Sequence, residues 1–272
     1  MRITGDQCEI LDSFIVKRIN DNDEFLRFVD SFRNVRNENL VDYLKGDAFE
    51  DDRTGNVACY IVFDLNNEIL CYFSIRCGTL YSEFKELELF QKHKRLKFEL
   101  QEISEKIGDN SELKEIVSLK EKEVAEYRKR IEDLLGRKDF PTPHKRVEKS
   151  YPAIELSHFC VNQDYIEKWN NLGFGAKNRM GATLFWHVIV KKIEEIRGIV
   201  GCEYLYLFAA DSTPDRHLVG HYMNRMDFHN DSSMLTLQPI YDSKCEFLCN
   251  RIEDLITNRD YFYDHFNDID EI

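Results

Sequence analysis

The sequence AIELSHFCVN at residues 153–162 and the sequence GAKNRMGATLFW at residues 175–186 decide the fold of this chain. The first predicts a buried strand, and the second predicts a glycine-containing loop that opens a helix, whose apolar positions continue as Ile189 and Ile193. A loop that leads into a helix N-terminus aims several unpaired backbone N–H groups at one point. Such a point suits a phosphate group, so the segment predicts an anion-binding site.

The composition is that of a folded chain with an acidic surface. The 272 residues carry a formal net charge of −13, and 43% of them are hydrophobic. This apolar share allows a normal core. The charge argues against broad binding to nucleic acid or to anionic membranes, because it repels phosphate at long range. It favours an amine-bearing or basic substrate, with plain solubility as the simpler interpretation.

The charge is unevenly distributed along the chain. Residues 82–148 contain 16 Lys or Arg and 16 Asp or Glu, so the rest of the chain carries the whole acidic excess. In this segment leucine, isoleucine and valine recur with a 3–4 stagger on both sides of Gly108-Asp109-Asn110. The pattern predicts an inserted antiparallel coiled-coil hairpin with arms of about 35 Å. We interpret it as a solvated strut, as a homodimer contact, or as an arm for a partner or macromolecular substrate.

The cysteines and the apolar runs predict a reduced, cytoplasmic protein. The eight cysteines are scattered without a CxxC pair, no apolar run follows a basic N-terminus, and no apolar stretch approaches the roughly 20 residues that span a bilayer. His217, His221 and His229 lie close together in sequence, but no zinc motif accompanies them, and we expect no metal. Neither a Gly-x-Ser-x-Gly elbow nor a Walker loop supports a hydrolase or a kinase.

Outside the insertion, strands and helices mix along the chain. The predicted strands, in order, are 14–19, 57–64, 68–81, 153–161, 201–211, 234–237 and 245–248. The predicted helices are 24–32, one ending near 46, one from the glycine loop to 198, 215–228 and 250–258. This order predicts an α/β or α+β fold with a mixed sheet. We expect one domain, residues 1–272, with the helical hairpin of residues 82–148 inserted between the third and fourth strands.

The strand IELSHFCVN, the loop GAKNRMGATLF and the segment LFAAD…HYMNRMDF together resemble the GNAT superfamily of acyl-CoA N-acyltransferases. By element order the resemblance covers residues 14–81 and 151–249. It implies the acyl-CoA N-acyltransferase fold, whose V-split central sheet separates between the fourth and fifth strands and admits the pantetheine arm of the cofactor. It further implies that an acetyl group moves from acetyl-CoA to an amine acceptor, either a small molecule or a protein, by direct attack.

The resemblance also implies which residues bind acetyl-CoA. The backbone of Phe159, Cys160 and Val161 would form hydrogen bonds with the pantetheine amides. Backbone N–H groups would cradle the pyrophosphate; they belong to Lys177, Asn178, Arg179, Met180, Gly181 and Ala182. The loop departs from the family pattern Gln/Arg-x-x-Gly-x-Gly/Ala, but a cradle made of backbone groups tolerates that departure.

The family's general acid is a tyrosine in the pattern Phe-Tyr-x-x-x-Gly-Phe, which protonates the departing thiolate. Counting back from Phe228 puts Asp227 at the glycine, Met223 at the tyrosine and Tyr222 at the first phenylalanine. Tyr222 is therefore our candidate for the acid, with a core-packing tyrosine as the alternative. Its displacement by one position leaves the chemistry less clearly supported than the cofactor site.

A carboxylate or an imidazole on the fourth predicted strand would take the proton of the amine. Glu155 and His158 lie three residues apart, so strict alternation places them on opposite faces, with only one facing the split. We favour Glu155, because Ala153, Ile154 and Leu156 predict an apolar environment, and such an environment makes a carboxylate more basic. We interpret His158 as a core histidine.

Two other functions fit the sequence. One is a non-catalytic interaction protein that has lost the acid of an acyltransferase and holds a partner through the hairpin. The other is a toxin-like acetyltransferase acting on charged tRNA, which similar LSHFxVN-type strands suggest and the acidic charge of the chain opposes.

Overall fold

The computed structural model describes residues 1–21, 26–82, 85–105, 111–135, 149–174, 179–211, 215–237 and 245–268. The turn predicted at residues 108–110 and the first part of the predicted phosphate loop, residues 175–178, lie outside these ranges. The strands are β1 (Ile15–Arg18), β2 (Ala58–Phe63), β3 (Ile69–Ser82), β4 (Ser150–Val161), β5 (Tyr204–Ala210), β6 (Met234–Leu235) and β7 (Cys245–Arg251).

The helices of the described ranges are α1 (Gly5–Asp12), α2 (Leu26–Val29), α3 (Glu38–Lys45), α4 (Ala48–Thr54), α5 (Lys85–Glu105), α6 (Ser111–Leu135), α7 (Ile166–Asn170), α8 (Met180–Leu184), α9 (Val190–Ile199), α10 (His217–Met226) and α11 (Ile252–Asp264). A π-helical turn, Phe185–Ile189, joins α8 to α9. The helix predicted to follow the glycine loop is therefore one continuous helical segment from Met180 to Ile199.

The chain forms two compact units. The first comprises Met1–Leu80, Tyr151–Ser232 and Thr236–Ile272, and the second comprises Tyr81–Ser150 and Ser233–Leu235.

The central sheet is mixed, with the strand order β1-β2-β3-β4-β5-β7 and with β6 paired to β3. The predicted hairpin is confirmed, since β2 and β3 are antiparallel, as are β1 and β2. Its turn depends on two residues. Asn67 adopts a left-handed φ of 61°, which asparagine tolerates better than most residues. The Asp64 carboxylate accepts hydrogen bonds from the backbone N–H groups of Asn66 and Glu68.

The pairing of β4 with β5 is short and parallel. It covers three residue pairs, from Ala153 opposite Tyr204 to Glu155 opposite Tyr206. Beyond these pairs β5 remains paired along its whole length with antiparallel β7. The mixed sheet therefore splits between its fourth and fifth strands, and the predicted V-split fold is confirmed.

Apolar side chains cover both faces of the sheet. On one face α2, α3 and α4 pack against alternate positions of β2, including Cys59 and Ile61. On the other face Val62 belongs to a larger core that includes the helical segment from Met180 and α11. Alternation along β2 thus supplies both cores, as expected for a strand with two buried faces.

In the second unit α5 and α6 pack side by side and antiparallel. Lys120 forms an ion pair with Glu99, and the Lys92 ammonium lies 5.3 Å from the centre of the Tyr127 ring, so the two sequences run in opposite directions. Leu96 and Ile131 are the buried apolar residues of the pair. The predicted helical hairpin is confirmed over these described residues.

Three short helices, α1, α4 and α7, were not predicted from the sequence, and two of them show why. α1 begins with a capping box between Thr4 and Gln7, but it buries only Leu11. α4 has the sequence AFEDDRT and buries Ala48 and the charged Asp52. Neither helix has the apolar repeat that reveals an amphipathic helix, so tertiary contacts decide both. Of the helix predicted at 24–32, the described helical part is α2, Leu26–Val29.

We predict that Gly78→Ala destabilises the protein by about 1–3 kcal/mol, because the site has no room for a methyl group. A Cβ at Gly78 would lie 2.3 Å from the hydroxyl oxygen of Tyr206, whose side chain is buried and hydrogen-bonded. Urea unfolding followed by circular dichroism measures the change. Gly198→Ala is the matched control, since no atom lies within 4 Å of its Cβ position. Equal stability of the two variants would contradict the prediction.

Candidate functional site

A cleft of about 660 Å³ opens where β4 and β5 separate. Its walls are residues 155–159 of β4 and residues 207–211 at the end of β5, and the segment 35–40 leading into α3 borders it as well. Tyr43, Leu218, Tyr222 and Cys245 complete the lining. The cleft lies within the first unit.

Glu155 lies at the base of the cleft, in the last residue pair that joins β4 to β5. Its side chain is buried, and Nη2 of Arg76 lies 2.8 Å from Oε1 and 2.9 Å from Oε2. The Tyr206 hydroxyl donates a hydrogen bond to Oε2 at 2.9 Å, and the Ser157 hydroxyl donates to Oε1 at 3.1 Å. The buried charge is thus compensated by a cation and two hydroxyl groups, as a buried carboxylate requires.

The surroundings of Glu155 differ from the apolar environment expected from its sequence neighbours. Ile154 and Leu156 point into the larger core on the opposite face, because adjacent residues of a strand alternate. The carboxylate meets β3 and β5 instead, which supply Arg76 and Tyr206. Burial and the neighbouring carboxylate raise the pKa of Tyr206, so its hydroxyl stays protonated and donates.

His158 lies on the same face of β4 as Glu155, and the prediction that alternation separates them is wrong. Ser157 contacts Glu155, while His158 contacts Ser74, which is two residues before Arg76 on β3. Two consecutive residues, Ser157 and His158, therefore face the same side. Strict alternation shifts by one residue here, as in a β-bulge, and both candidates border the cleft.

The His158 imidazole is fixed by two contacts. Its Nδ1 lies 2.7 Å from the hydroxyl oxygen of Ser74, and its ring stacks on Tyr43 with a centroid distance of 3.8 Å and an interplanar angle of 17°. Burial lowers the pKa of His158 to about 4, with Arg76 lowering it further and Asp51 raising it. The imidazole is therefore uncharged at neutral pH.

Tyr222 borders the cleft from α10, across from β4. Burial raises the pKa of Tyr222 to about 12, so its hydroxyl is protonated at neutral pH. Asp211, at the end of β5, fixes the start of α10, because its Oδ2 accepts hydrogen bonds from the backbone N–H groups of Leu218 (2.7 Å) and Val219 (3.0 Å). This helix cap sets the position of Tyr222 relative to β5.

Asp227 is the residue that follows the end of α10. Asp227 has a φ of 56°, the left-handed conformation for which the family pattern has glycine. Asn250 donates hydrogen bonds to its carbonyl oxygen and to its carboxylate, and these contacts hold the unusual conformation. Met223 then falls at the tyrosine position and is 38% exposed, whereas Tyr222 borders the cleft.

The residues predicted to bind the cofactor are only partly described. Phe159, Cys160 and Val161 end β4, beyond the last residue pair with β5. Lys177 and Asn178 lie outside the described residues.

The remaining predicted residues, Arg179 to Ala182, lie at the start of the helical segment. A Cβ on Gly181 would touch Val161 Cγ1 at 3.6 Å, so this helix start lies beside the end of β4. Arg179 makes no side-chain cap to its helix. The hydroxyl oxygen of Thr183 is buried and has no hydrogen-bond partner among the described residues.

Sequence reasoning missed Arg76, Tyr206, Ser74 and Tyr43. Arg76 had a detectable signal, since it is the charged residue within the otherwise uncharged run ILCYFSIRC, residues 69–77. The others carry no comparable signal, because strand pairing and helix packing alone bring them to β4.

The strand order and the split define the class of fold. A mixed sheet whose fourth and fifth strands are parallel, paired at one end and separated at the other, followed by a helical segment beginning beside the fourth strand, is the architecture that the sequence resemblance implies. The fold implied by the sequence resemblance is therefore present in this chain.

Among solved structures, the chain is similar to a mutant of the toxin AtaT bound to the C-terminus of the antitoxin AtaR and acetyl-CoA (12% identity, 91% of this chain, 98% of that chain, TM-score 0.46). It is also similar to a mutant of KacT (11% identity, 90% of this chain, 99% of that chain, TM-score 0.47). A third similar structure is AtaT complexed with acetyl-methionyl-tRNAfMet (11% identity, 90% of this chain, 98% of that chain, TM-score 0.45). Because these TM-scores are below 0.5, the assignment of the fold depends on strand order and on the split.

No protein-family model matches the sequence, and no curated protein matches it. Within the described ranges, no helix is both long and apolar enough to cross a membrane. In the same ranges, no group of three or more His, Cys, Asp or Glu side chains is arranged to hold a metal ion.

We predict that Arg76→Ala lowers the free energy of unfolding by about 2 kcal/mol, because buried Glu155 loses its cation. Chemical denaturation at neutral pH measures the loss. Arg128→Ala removes an exposed pair with Glu132 on α6 and serves as control, with no measurable change expected. A similar result for both variants would show that the Arg76 pair does not stabilise the sheet.

We also predict that the protein loses stability as the pH falls from about 6.5 to 4. The unfolded chain binds a proton at His158 near pH 6.5, whereas the folded chain does so only near pH 4, so acid favours unfolding in this window. His187 and His221 contribute in the same direction. His158→Gln should reduce the pH dependence by about one proton, measured by denaturation at several pH values, and an unchanged dependence would contradict the assignment.

Proposed function

We propose that the protein is an acetyl-CoA-dependent N-acetyltransferase. The observation that carries this proposal is the separation of β4 from β5 after Glu155 and Tyr206. In the described part of the chain it leaves one edge of β4 without a strand partner along a cleft of about 660 Å³. A strand edge beside a cleft offers N–H and C=O groups to an extended, amide-containing ligand. The pantetheine arm of acetyl-CoA has this chemistry.

The described residues fit such a cofactor at both ends. Phe159 lines the cleft, and Cys160 and Val161 follow it on β4, with the Val161 carbonyl accepting a hydrogen bond from Asn34. The first N–H groups of the helical segment that starts at Met180 would bind the pyrophosphate. Arg179 and Lys177 add positive charge to this end of the sequence. Acetyl-CoA, when bound, supplies an acetyl thioester that an amine can attack.

Tyr222 is our proposed proton donor to the departing thiolate. It borders the cleft, its hydroxyl is protonated at neutral pH, and no hydrogen bond found among the described residues uses that hydroxyl. Glu155 borders the same cleft and is the proton acceptor that the sequence favours. Its carboxylate contacts Arg76, Tyr206 and Ser157.

The proposed acceptor is an amine, and amines of several chemical classes are candidates. The acidic charge of the chain outside residues 82–148 favours a cationic small molecule or a basic protein segment and opposes nucleic acid. AtaT, however, has been seen with an acetylated methionyl-tRNA, so an aminoacyl-tRNA is a candidate as well. The cytoplasmic location stays a prediction.

The hairpin of α5 and α6 is proposed to contact a protein, either a second copy or a different partner. Phe98, Ile116 and Leu119 are exposed apolar residues on it. A non-catalytic role as an interaction protein would use the same surface, and it is distinguished by the absence of acetyl transfer.

We predict that the protein binds acetyl-CoA in isothermal titration calorimetry and releases CoA thiol when an amine acceptor is added. Tyr222→Phe should leave binding nearly unchanged and lower kcat by about 10²–10⁴-fold, because a positioned proton donor contributes to the transition state. Tyr261→Phe, which removes an exposed hydroxyl of α11, is the control and should behave as wild type.

Two results would count against the proposal. Absence of acetyl-CoA binding by the folded protein would exclude the cofactor. Binding without thiol release across polyamines, amino acids, lysine peptides and aminoacyl-tRNA would favour the non-catalytic interaction protein.

A further inference from the structure

We infer that His158, rather than Glu155, accepts the proton of the acceptor amine, and that Glu155 has the separate role of holding β3, β4 and β5 together at the base of the cleft. This inference rests on the proposed acetyl transfer. It reassigns the proton acceptor that the sequence favours, and it depends on contacts that the sequence does not reveal.

The lone pairs of Glu155 are already engaged. Both carboxylate oxygens contact Arg76, and each also accepts a hydrogen bond from a hydroxyl group, one from Tyr206 and one from Ser157. An added proton on this carboxylate would weaken an ion pair and displace a hydroxyl donor in a buried site. Such a group is suited to fixing strands and poorly suited to taking a proton in each catalytic cycle.

His158 has one nitrogen engaged and one available. Nδ1 contacts Ser74, whereas no hydrogen bond among the described residues uses Nε2. His158 is only partly buried and lines the cleft, so a ligand in the cleft can approach this side of β4. When Nδ1–H donates to the Ser74 oxygen, Nε2 presents its lone pair to the cleft.

The ring is held rigidly in one orientation. Tyr43 stacks on it from α3, and Ser74 on β3 is completely buried, so both contacts come from packed elements. Fixed orientation of a base toward the reacting atom is a main requirement of general-base catalysis.

The charge state of His158 suits the same role. Burial keeps it uncharged at neutral pH, and the charged or titratable groups that face it are Arg76 on β3, Asp51 on α4 and Tyr43 on α3. A neutral imidazole does not repel a cationic acceptor. Its low pKa makes it a weak base, but the amine nitrogen becomes much more acidic once it has bonded to the carbonyl carbon.

In the proposed reaction the acceptor amine loses a proton and the departing thiolate gains one. The amine nitrogen attacks the thioester carbonyl carbon and forms the C–N bond, and a proton on that nitrogen moves to Nε2 of His158. The C–S bond then breaks, and the thiolate takes the Tyr222 hydroxyl proton. His158 afterwards releases its proton to solvent through the cleft, and Tyr222 recovers one from solvent.

The test compares His158→Gln, His158→Ala and Ser74→Ala, using acetyl-CoA and an amine acceptor that wild type acetylates. His158→Gln should bind acetyl-CoA with unchanged affinity and lose about 10²–10⁴-fold in kcat. Added imidazole should restore part of the kcat of His158→Ala, because a free base can enter the space left by the side chain. Ser74→Ala should lower kcat without changing the affinity for acetyl-CoA, since it releases Nδ1.

Imidazole rescue separates proton transfer from a structural role, because a lost packing contact does not respond to the basicity of the additive. His187→Gln is the matched control. His187 is also a buried histidine with a nitrogen bonded to a hydroxyl, that of Tyr263, but it does not line the cleft. This variant should change stability and leave kcat per folded molecule unchanged, with no response to imidazole.

Each opposite result has a distinct meaning. If the wild type is active and the folded His158→Gln variant is equally active, His158 is not the proton acceptor, and the acetyltransferase function stands. Loss of activity in His158→Ala with no imidazole rescue, together with unchanged kcat in Ser74→Ala, would reduce His158 to a packing residue. No turnover by wild type with any amine would overturn both proposals.

Discussion

The contact between Glu155 and Tyr206 is the constraint on which the rest of the site depends. These two residues form the last pair between β4 and β5, and their side chains meet on one face, where Arg76 neutralises the carboxylate. A buried carboxylate without these partners would be strongly unfavourable, so the three strands are fixed to one another at this point. Beyond it the described residues contain no further backbone pair between β4 and β5, and the cleft begins.

Gly78 belongs to the same arrangement. The Tyr206 ring extends over β3 where Gly78 leaves room for it, and any side chain there would overlap the hydroxyl group. The base of the cleft therefore depends on a residue without a side chain as much as on the charged pair. This also explains why a glycine is found in the middle of a strand, a position where its conformational freedom is otherwise a cost.

The two walls of the cleft are positioned by different means. On β4 the shift in alternation at Ser157 turns Glu155 and His158 to one face. The carboxylate that links the three strands and the uncharged imidazole therefore lie on the same side of β4. On the opposite wall two aspartates fix α10, Asp211 by capping its start and Asp227 by its left-handed conformation at its end. The proton acceptor and donor that we propose thus come from separately anchored elements.

The sequence by itself determined the elements with strong periodicity: the β2–β3 hairpin, the helical pair α5 and α6, the strand β4 and the helical segment that begins at Met180. It also located Glu155 at the cleft, since Glu155 lies on that strand, whereas Tyr222 on α10 was found through the family resemblance. Only the tertiary structure decided the neighbours of Glu155 and the face on which His158 lies. Alternation is a local rule, whereas the partners of a buried charge come from other strands, and a one-residue shift in β4 leaves no mark on the sequence.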